Sequence, residues 1–409
     1  MGKIETPTVI RPLVSALFQL LLFLVVSLPT GSIMGVNIKI VAFGIFLVVF
    51  LPYLLIARES LSTGDVVFVV GVTAFFSLWS LIGIVSGQVD GTQVLYKLRD
   101  MISTVAVAWL SIFCIKRRIL SSERLVTVVI YGAFTVSVTK LVIAVSSLYF
   151  GVSPVDVTLS IFQGAPIISG PMPLGLQRME FSPDILNSFA LFALLAPRLS
   201  GARFGRLMSG VITIAILMSA LLAFSRYIWL SHVAAIASAL ILRRSWKILA
   251  VTCVAALVLG VGFYDFVSDA FESRFLSVSA EKSDSARVEQ FRVLTEEFES
   301  RPIFGKGMGA HAARLLRDDY DEHQYVYELE WLAFLMQFGI IGMIGLILLV
   351  GLSCGDLIMS NHPAAPYLWV MFLVWLCSGF TNPYLTSSYA GGAFGLFMAM
   401  FYRSRYVVA

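Results

Sequence analysis

"RDDYDEHQYVYELEWLAFLMQFGIIG", residues 317–342, passes within a few positions from an acidic run into a continuous apolar one. Three side chains at that junction could accept a proton: His323, Glu328 and Glu330. Tyr325, Tyr327 and Trp331 flank the carboxylates as an interfacial aromatic belt would, and a carboxylate in such a half-apolar layer is pushed toward neutrality, where a general base works. Carboxylates on the first turns of a helix would also be held there by its dipole. His323 stands just before a helix expected from near Gln324. The positive helix end lowers an imidazole's pKa and keeps it neutral and able to take a proton; a structural histidine in a polar loop is the competing reading. The preceding "DDYDE", Asp318 to Glu322, contains an Asp-x-Asp spacing such as can hold a divalent metal, but a short acidic run is more often a solvated loop, and no metal is expected.

A second group of residues suits anions. Arg178 lies in "LGLQRMEFSP", and Arg226 in "AFSRYIWLSH", at a very tight turn between two apolar segments. An arginine at a membrane-boundary helix start either anchors at headgroups or presents its planar donor fork to a phosphate. Residues 283–300, "SDSARVEQFRVLTEEFES", read as an amphipathic helix capped by Ser283, Asp284 or Ser285. Arg287, Phe291, Leu294 and Phe298 share one stripe, so Arg287 faces the protein, with no carboxylate evident on that stripe. It therefore seeks an external anion or a partner elsewhere in the fold. Arg292 points to water, where it pairs with Glu296. In "RPIFGKGMGAHAARLL" the glycines at 305, 307 and 309 either expose amides to a phosphate or form a flexible turn. No strand precedes them and Gly307 follows Lys306, which excludes a nucleotide P-loop.

The elements that must position these groups are membrane helices. The chain of 409 residues is 58% hydrophobic and 13% charged, with a mean hydropathy of +0.88, outside the range of soluble domains. About twelve apolar spans are expected, at 12–29, 36–57, 66–88, 101–116, 123–150, 184–197, 207–223, 226–242, 247–266, 331–352, 366–383 and 386–403. The fold class is thus an all-α polytopic membrane protein, a single transmembrane domain over 1–409, with outer loops at 151–183 and 267–330; the larger, partly helical, carries most of the residues above.

Connecting loops on one side hold Arg58, Lys116-Arg117-Arg118, Arg124, Arg198, Arg203, Arg206, Arg243, Arg244, Lys247, Arg403 and Arg405, which makes that side cytoplasmic together with both termini. The first apolar run is long enough to span, and nothing before it resembles a cleavable signal. The net charge of +4 reflects these anchors rather than a nucleic-acid partner. Cys114, Cys253, Cys354 and Cys377 form no CxxC pair, so no disulfide framework or zinc site is implied. Each Asp and Glu falls in a loop or near a span end, which speaks against proton-coupled transport. Lys140, the deep cation of the fifth span, either pairs within the bundle or snorkels.

The large outer loop before the tenth span, the "SR" turn, "SRPIFGKGMG" and the closing "FGIIG" together resemble the bacterial O-antigen polymerase and ligase superfamily, over roughly residues 225–342. Before them, Arg178 to Pro183 has a similar "R-x-x-F-x-P" pattern. The resemblance implies a GT-C-type helical scaffold, with Arg226 and Arg287 holding the diphosphate of an undecaprenyl-linked glycan. In the ligase branch a His-Asn pair precedes the glycine of the "GIIG"-type ending, the His by eleven positions; here that count back from Gly339 reaches Glu328, and no Asn follows Glu328 or His323. A carboxylate at that place is similar to the Wzy-type polymerase branch.

The expected activity is metal-independent, inverting polymerisation of lipid-linked repeat units at the periplasmic face of the inner membrane. Glu328 would be the base with His323 as alternative or helper, Arg178 a second contact, and Glu330, Tyr325 and Tyr327 substrate neighbours. No cofactor is expected. Partners would be the lipid-linked donor and acceptor, the bilayer and a polysaccharide chain-length regulator. The alternatives are ligation of glycan to lipid A core and, in another class, a lipid-linked oligosaccharide flippase or solute transporter.

Overall fold

The computed structural model of the protein describes residues 10–29, 31–56, 61–86, 89–164, 167–172, 177–247, 278–315, 324–359 and 361–406, with isolated positions between 250 and 272. The helices are α1 (Ile10–Ser27), α2 (Ile38–Ile56), α3 (Thr63–Val85), α4 (Gly91–Lys116), α5 (Ser122–Phe150), α6 (Pro154–Ile161), α7 (Asp184–Leu195), α8 (Pro197–Ser200), α9 (Arg206–Ala223), α10 (Arg226–Leu242), α11 (Val278–Ser300), α12 (Glu330–Ile358), α13 (Ala365–Cys377) and α14 (Ser388–Tyr406). A helix lies over every expected span except 247–266, most of which is outside the described residues.

Seven of the described helices are long and apolar enough to cross a membrane: α1 to α5, α9 and the Glu330–Gly351 part of α12. Three shorter apolar helices, Asp184–Leu195, Arg226–Leu242 and Ala365–Phe380, complete the set. With 12 residues, α7 reaches only about 18 Å, short of an apolar layer of about 30 Å. It is instead an interior helix, fully buried from Ile185 to Ala193, packed among α5, α9 and α10.

Helix starts follow local chemistry. Ser62 and Asp65 form a reciprocal capping box at α3, while Asp90 caps α4 and Ser121 caps α5. Small residues then let helices approach closely without a hydrophobic driving force. A Cβ on Gly391 of α14 would meet the Thr104 carbonyl of α4 at 2.5 Å, and one on Gly395 would meet Ser111 Oγ at 2.4 Å.

The loop expected at 151–183 has structure of its own. After α6 it forms an antiparallel hairpin of β1 (Ile167–Pro171) and β2 (Gln177–Phe181), with Ile167 opposite Phe181 and Gly170 opposite Arg178. Short segments whose inner residues, such as Met179 and Phe181, pack on α5 gave no apolar run long enough to be legible beforehand.

The bundle has two chemically different ends. At one, Arg403 pairs with Glu123, Arg117 with Asp65, and Arg11 donates to the Arg117 carbonyl. These are the loops that the basic-residue alternation assigned to one side. At the other end lie the hairpin, the α9–α10 turn, α11 and the start of α12.

That second end is organised by a break in α12. Gly339 has φ +61° and ψ −174°, and the helical ladder opens around it. Residues 302–308 fill the gap: Lys306 N–H donates to the Met336 carbonyl, Gly307 N–H to Gln337, and Ile340 and Ile341 donate to Pro302 and Ile303. Trp79 Nε1–H of α3 donates to the carbonyls of Phe304 and Phe338, and Met308 N–H returns to Trp79. A broken helix at membrane depth needs such partners for every freed backbone group. The glycine segment is therefore neither a receiver of phosphate through these amides nor a flexible turn. It is a fixed strap, because the amides of Gly305, Lys306, Gly307 and Met308 already have acceptors and its glycines sit where a side chain cannot fit. Gly307 (φ +96°) would place a Cβ 2.1 Å from the Gly83 amide nitrogen. Gly307→Ala should lower stability by roughly 2–4 kcal/mol through strain and overlap, read as thermal unfolding in detergent. Gly351→Ala, with open space at its Cβ, should change little; an unaltered midpoint for Gly307→Ala would show that the strap is not locked at this glycine.

Candidate active site

The α9–α10 turn is built from below by cations. In the last turns of α9, the Ser219 carbonyl accepts from Lys140 Nζ (2.9 Å), Ala220 from Trp229 Nε1 (3.0 Å) and Ala223 from Arg178 Nε (2.9 Å). Donors and positive charge at a helix C-terminus satisfy carbonyls that the ladder leaves open. Phe224 then turns the chain at φ +45°, and α10 begins with Arg226.

Lys140 is thus paired within the bundle: its ammonium also meets Asp184 Oδ2 at 2.6 Å, with both side chains at most 1% exposed. Arg178, on β2, is salt-bridged to Glu180, which also accepts from Tyr384 Oη. Burial, foremost, and the Glu180 charge raise the Tyr384 phenol well above its ordinary value, so it remains a donor.

Opposite the turn lies α11. It docks through Val293 and Leu294, which join Ala310, Ala312, Tyr327, Ala333 and Met336 in a small core of their own. The inward stripe is rotated from the one expected: Phe291 is 60% exposed, while Gln290 is buried. Gln290 Oε1 is drawn inward because it accepts the Glu328 backbone N–H at 3.1 Å. Arg287, one turn earlier on the same face, reaches the site. Arg292 is exposed and pairs with Glu296 (3.0 Å) and Glu289 (2.6 Å).

Among the described residues, four charged groups meet between these elements. The Asp284 carboxylate bridges both arginines, with Arg226 Nη2 at 2.6 Å and Nη1 at 3.3 Å, and Arg287 Nη1 at 2.8 Å. Arg287 Nε then approaches Glu328 Oε2 at 2.7 Å. That second contact is Coulombic, since neither atom, though shielded from solvent, has a hydrogen-bond partner among the described residues. The hydrogen bond from Arg226, foremost, and the two guanidinium charges hold the Asp284 carboxyl below the usual range. Asp284 was expected only as a helix cap. The helix begins earlier, at Val278, which places Asp284 in its interior three residues before Arg287; that acid–arginine spacing was the available signal.

Glu328 and Glu330 separate. Glu330 is buried and accepts from Leu385 N–H (2.7 Å) and Thr386 Oγ1 (2.6 Å), pinning the 381–387 loop. Tyr325 and Tyr327 are also buried within the protein rather than forming the interfacial aromatic belt expected. The Tyr325 hydroxyl donates to Asp100 (2.8 Å) and the Tyr327 hydroxyl accepts from Ala312 N–H (2.7 Å). Both side chains turn inward because each hydroxyl finds a partner there. Lys97 of α4 lies over the Tyr325 and Phe334 rings and was not anticipated as part of this region. His323 and the run Asp318 to Glu322 lie outside the described residues. Arg226, Arg287 and Glu328 are therefore brought together, Arg178 supports the turn that carries Arg226, and Glu330 faces another loop.

A family model described as O-antigen ligase (Wzy_C) matches residues 211–347. That match, confined to 211–347, supports a likeness to the O-antigen polymerase and ligase superfamily. It contains Arg226, Asp284, Arg287, Glu328 and the break at Gly339, and it supports an O-antigen polymerase or ligase function in general, on a multi-pass membrane protein. No curated protein and no solved structure matches the chain.

The buried Lys140–Asp184 pair supplies a test of how the turn is held. Asp184→Ala strands a cation in an apolar interior and should cost about 3–5 kcal/mol, whereas Lys140→Met combined with Asp184→Leu should recover most of it. Thermal unfolding of the detergent-solubilised variants measures both. A double variant less stable than the single one would show that the pair does more than neutralise itself.

Proposed function

We propose that the protein polymerises undecaprenyl-diphosphate-linked oligosaccharide repeat units into O-antigen or a related surface polysaccharide, by inverting glycosyl transfer at the periplasmic face of the inner membrane. The observation that carries this reading is the convergence of Arg226 and Arg287, from separate elements, on one carboxylate, with Glu328 adjoining Arg287. Two guanidinium groups that already bind an anion bidentately and in common are suited to a diphosphate.

In the reaction, Glu328 takes the proton of an acceptor sugar hydroxyl as that oxygen forms its bond to the anomeric carbon of the donor. The bond from that carbon to the diphosphate breaks, and the leaving oxygen keeps the electron pair. Arg226 and Arg287 stabilise the charge that develops on it, a role a metal ion fills elsewhere. Inversion follows from a single displacement. Arg287 touches both the clamp carboxylate and Glu328, so it couples leaving-group binding to the orientation of the base. Arg178 supports the reaction by holding the Ala223 carbonyl beneath Arg226.

The family model's description as O-antigen ligase favours a second acceptor, lipid A core, for the same chemistry. The carboxylate at 328, where the ligase pattern has histidine, favours the polymerase. Cells lacking the protein discriminate the two: single-repeat lipopolysaccharide marks a lost polymerase, and unattached long polymer a lost ligase.

With purified protein and undecaprenyl-diphosphate repeat units, a glycan ladder should form equally with and without EDTA. Arg226→Ala and Arg287→Ala should abolish it while expression and membrane insertion persist, and Glu328→Gln should slow it by about 10²–10⁴-fold. Substantial polymer from both arginine variants would reject the clamp.

A further inference from the structure

We infer that Asp284 is a built-in counter-ion that decides which lipid phosphates occupy the arginine clamp: it keeps out singly charged phosphodiester headgroups and yields to a diphosphate. The inference rests on Arg226 and Arg287 being the diphosphate clamp of the proposed reaction.

Guanidinium groups at the rim of a membrane stand among phosphodiesters, each with one negative charge, which they bind well. A clamp of two arginines without a counter-ion would be occupied by bulk lipid. Here Arg226 presents both terminal nitrogens to the two oxygens of Asp284, and Arg287 shares one of those oxygens. The described cluster of Arg226, Arg287, Asp284 and Glu328 therefore sums to zero formal charge. A monoanion that displaces Asp284 restores the charge it removes and gains nothing by Coulomb attraction. A diphosphate diester carries two charges and displaces one, so it retains a net attraction.

Asp284 is also the carboxylate built to leave. Its side chain is 53% exposed, against 28% for Glu328, so it can turn into water. Glu328 is held in place by its backbone bond to Gln290. Release of Asp284 leaves α11 docked, because that helix is anchored by Val293 and Leu294 rather than by the ion pair.

The test is binding of inorganic pyrophosphate to the full chain in nanodiscs, either of phosphatidylcholine alone or with added phosphatidylglycerol. In the zwitterionic nanodiscs Asp284→Asn should bind pyrophosphate about tenfold or more tightly than the parent protein, the ratio produced by roughly 1.4 kcal/mol. With phosphatidylglycerol present that advantage should disappear, because the headgroup takes the place of the missing carboxylate. Asp284→Ser should repeat both results, which guards against a folding defect of one variant. No advantage in phosphatidylcholine, or an advantage of equal size in both lipids, overturns the counter-ion. If Arg226→Ala and Arg287→Ala bind pyrophosphate as the parent does, the clamp itself fails, an outcome separable from the other two.

Discussion

The site depends on two guanidinium groups, carried by different elements, meeting at one carboxylate. Arg226 is the first residue of α10, and Arg287 lies on α11, in the long connection between α10 and α12. Neither position has meaning without the other, because a single arginine at a headgroup surface is an ordinary anchor. Their convergence on Asp284 joins the two elements through one shared carboxylate, with the carboxylate of Glu328 beside them.

Holding them there requires rigidity on both sides. On the bundle side, Lys140 and Arg178 satisfy the last carbonyls of α9, and the buried Asp184 and Glu180 neutralise those cations. On the loop side, the break in α12 receives residues 302–308, and the core around Leu294 and Tyr327 seats α11 against the start of α12. Both devices solve the same problem. A membrane bundle has no water at depth to satisfy a free carbonyl or an unpaired charge, so each interruption must be matched by a specific partner. The partners double as supports for the cluster of Arg226, Arg287 and Glu328.

Much of the plan was legible from residue types. Apolar runs located the spans, basic loops sorted their ends, and Arg226, Arg287 and Glu328 stood out as polar residues where the membrane makes them costly. The less legible parts were those without periodic or compositional signature. The β1–β2 hairpin is too short to announce itself, Asp284 looked like a cap because the start of α11 was misplaced by a few residues, and Glu330 looked equivalent to Glu328. Two positions apart near the start of a helix, those carboxylates point in different directions, and only the neighbouring loops decide which of them meets an arginine.

By itself, then, the chain's order of residues determined that this is a helical membrane protein with its polar groups gathered toward the ends of its apolar segments, because hydrophobicity and charge are local properties that the bilayer sorts one segment at a time. Which arginine faces which carboxylate, and that a glycine strap closes a broken helix, were decided by tertiary structure alone. Such pairings join residues tens to hundreds of positions apart, and they arise from packing complementarity and from the demand that each buried polar group find a partner, neither of which leaves a trace in any single segment.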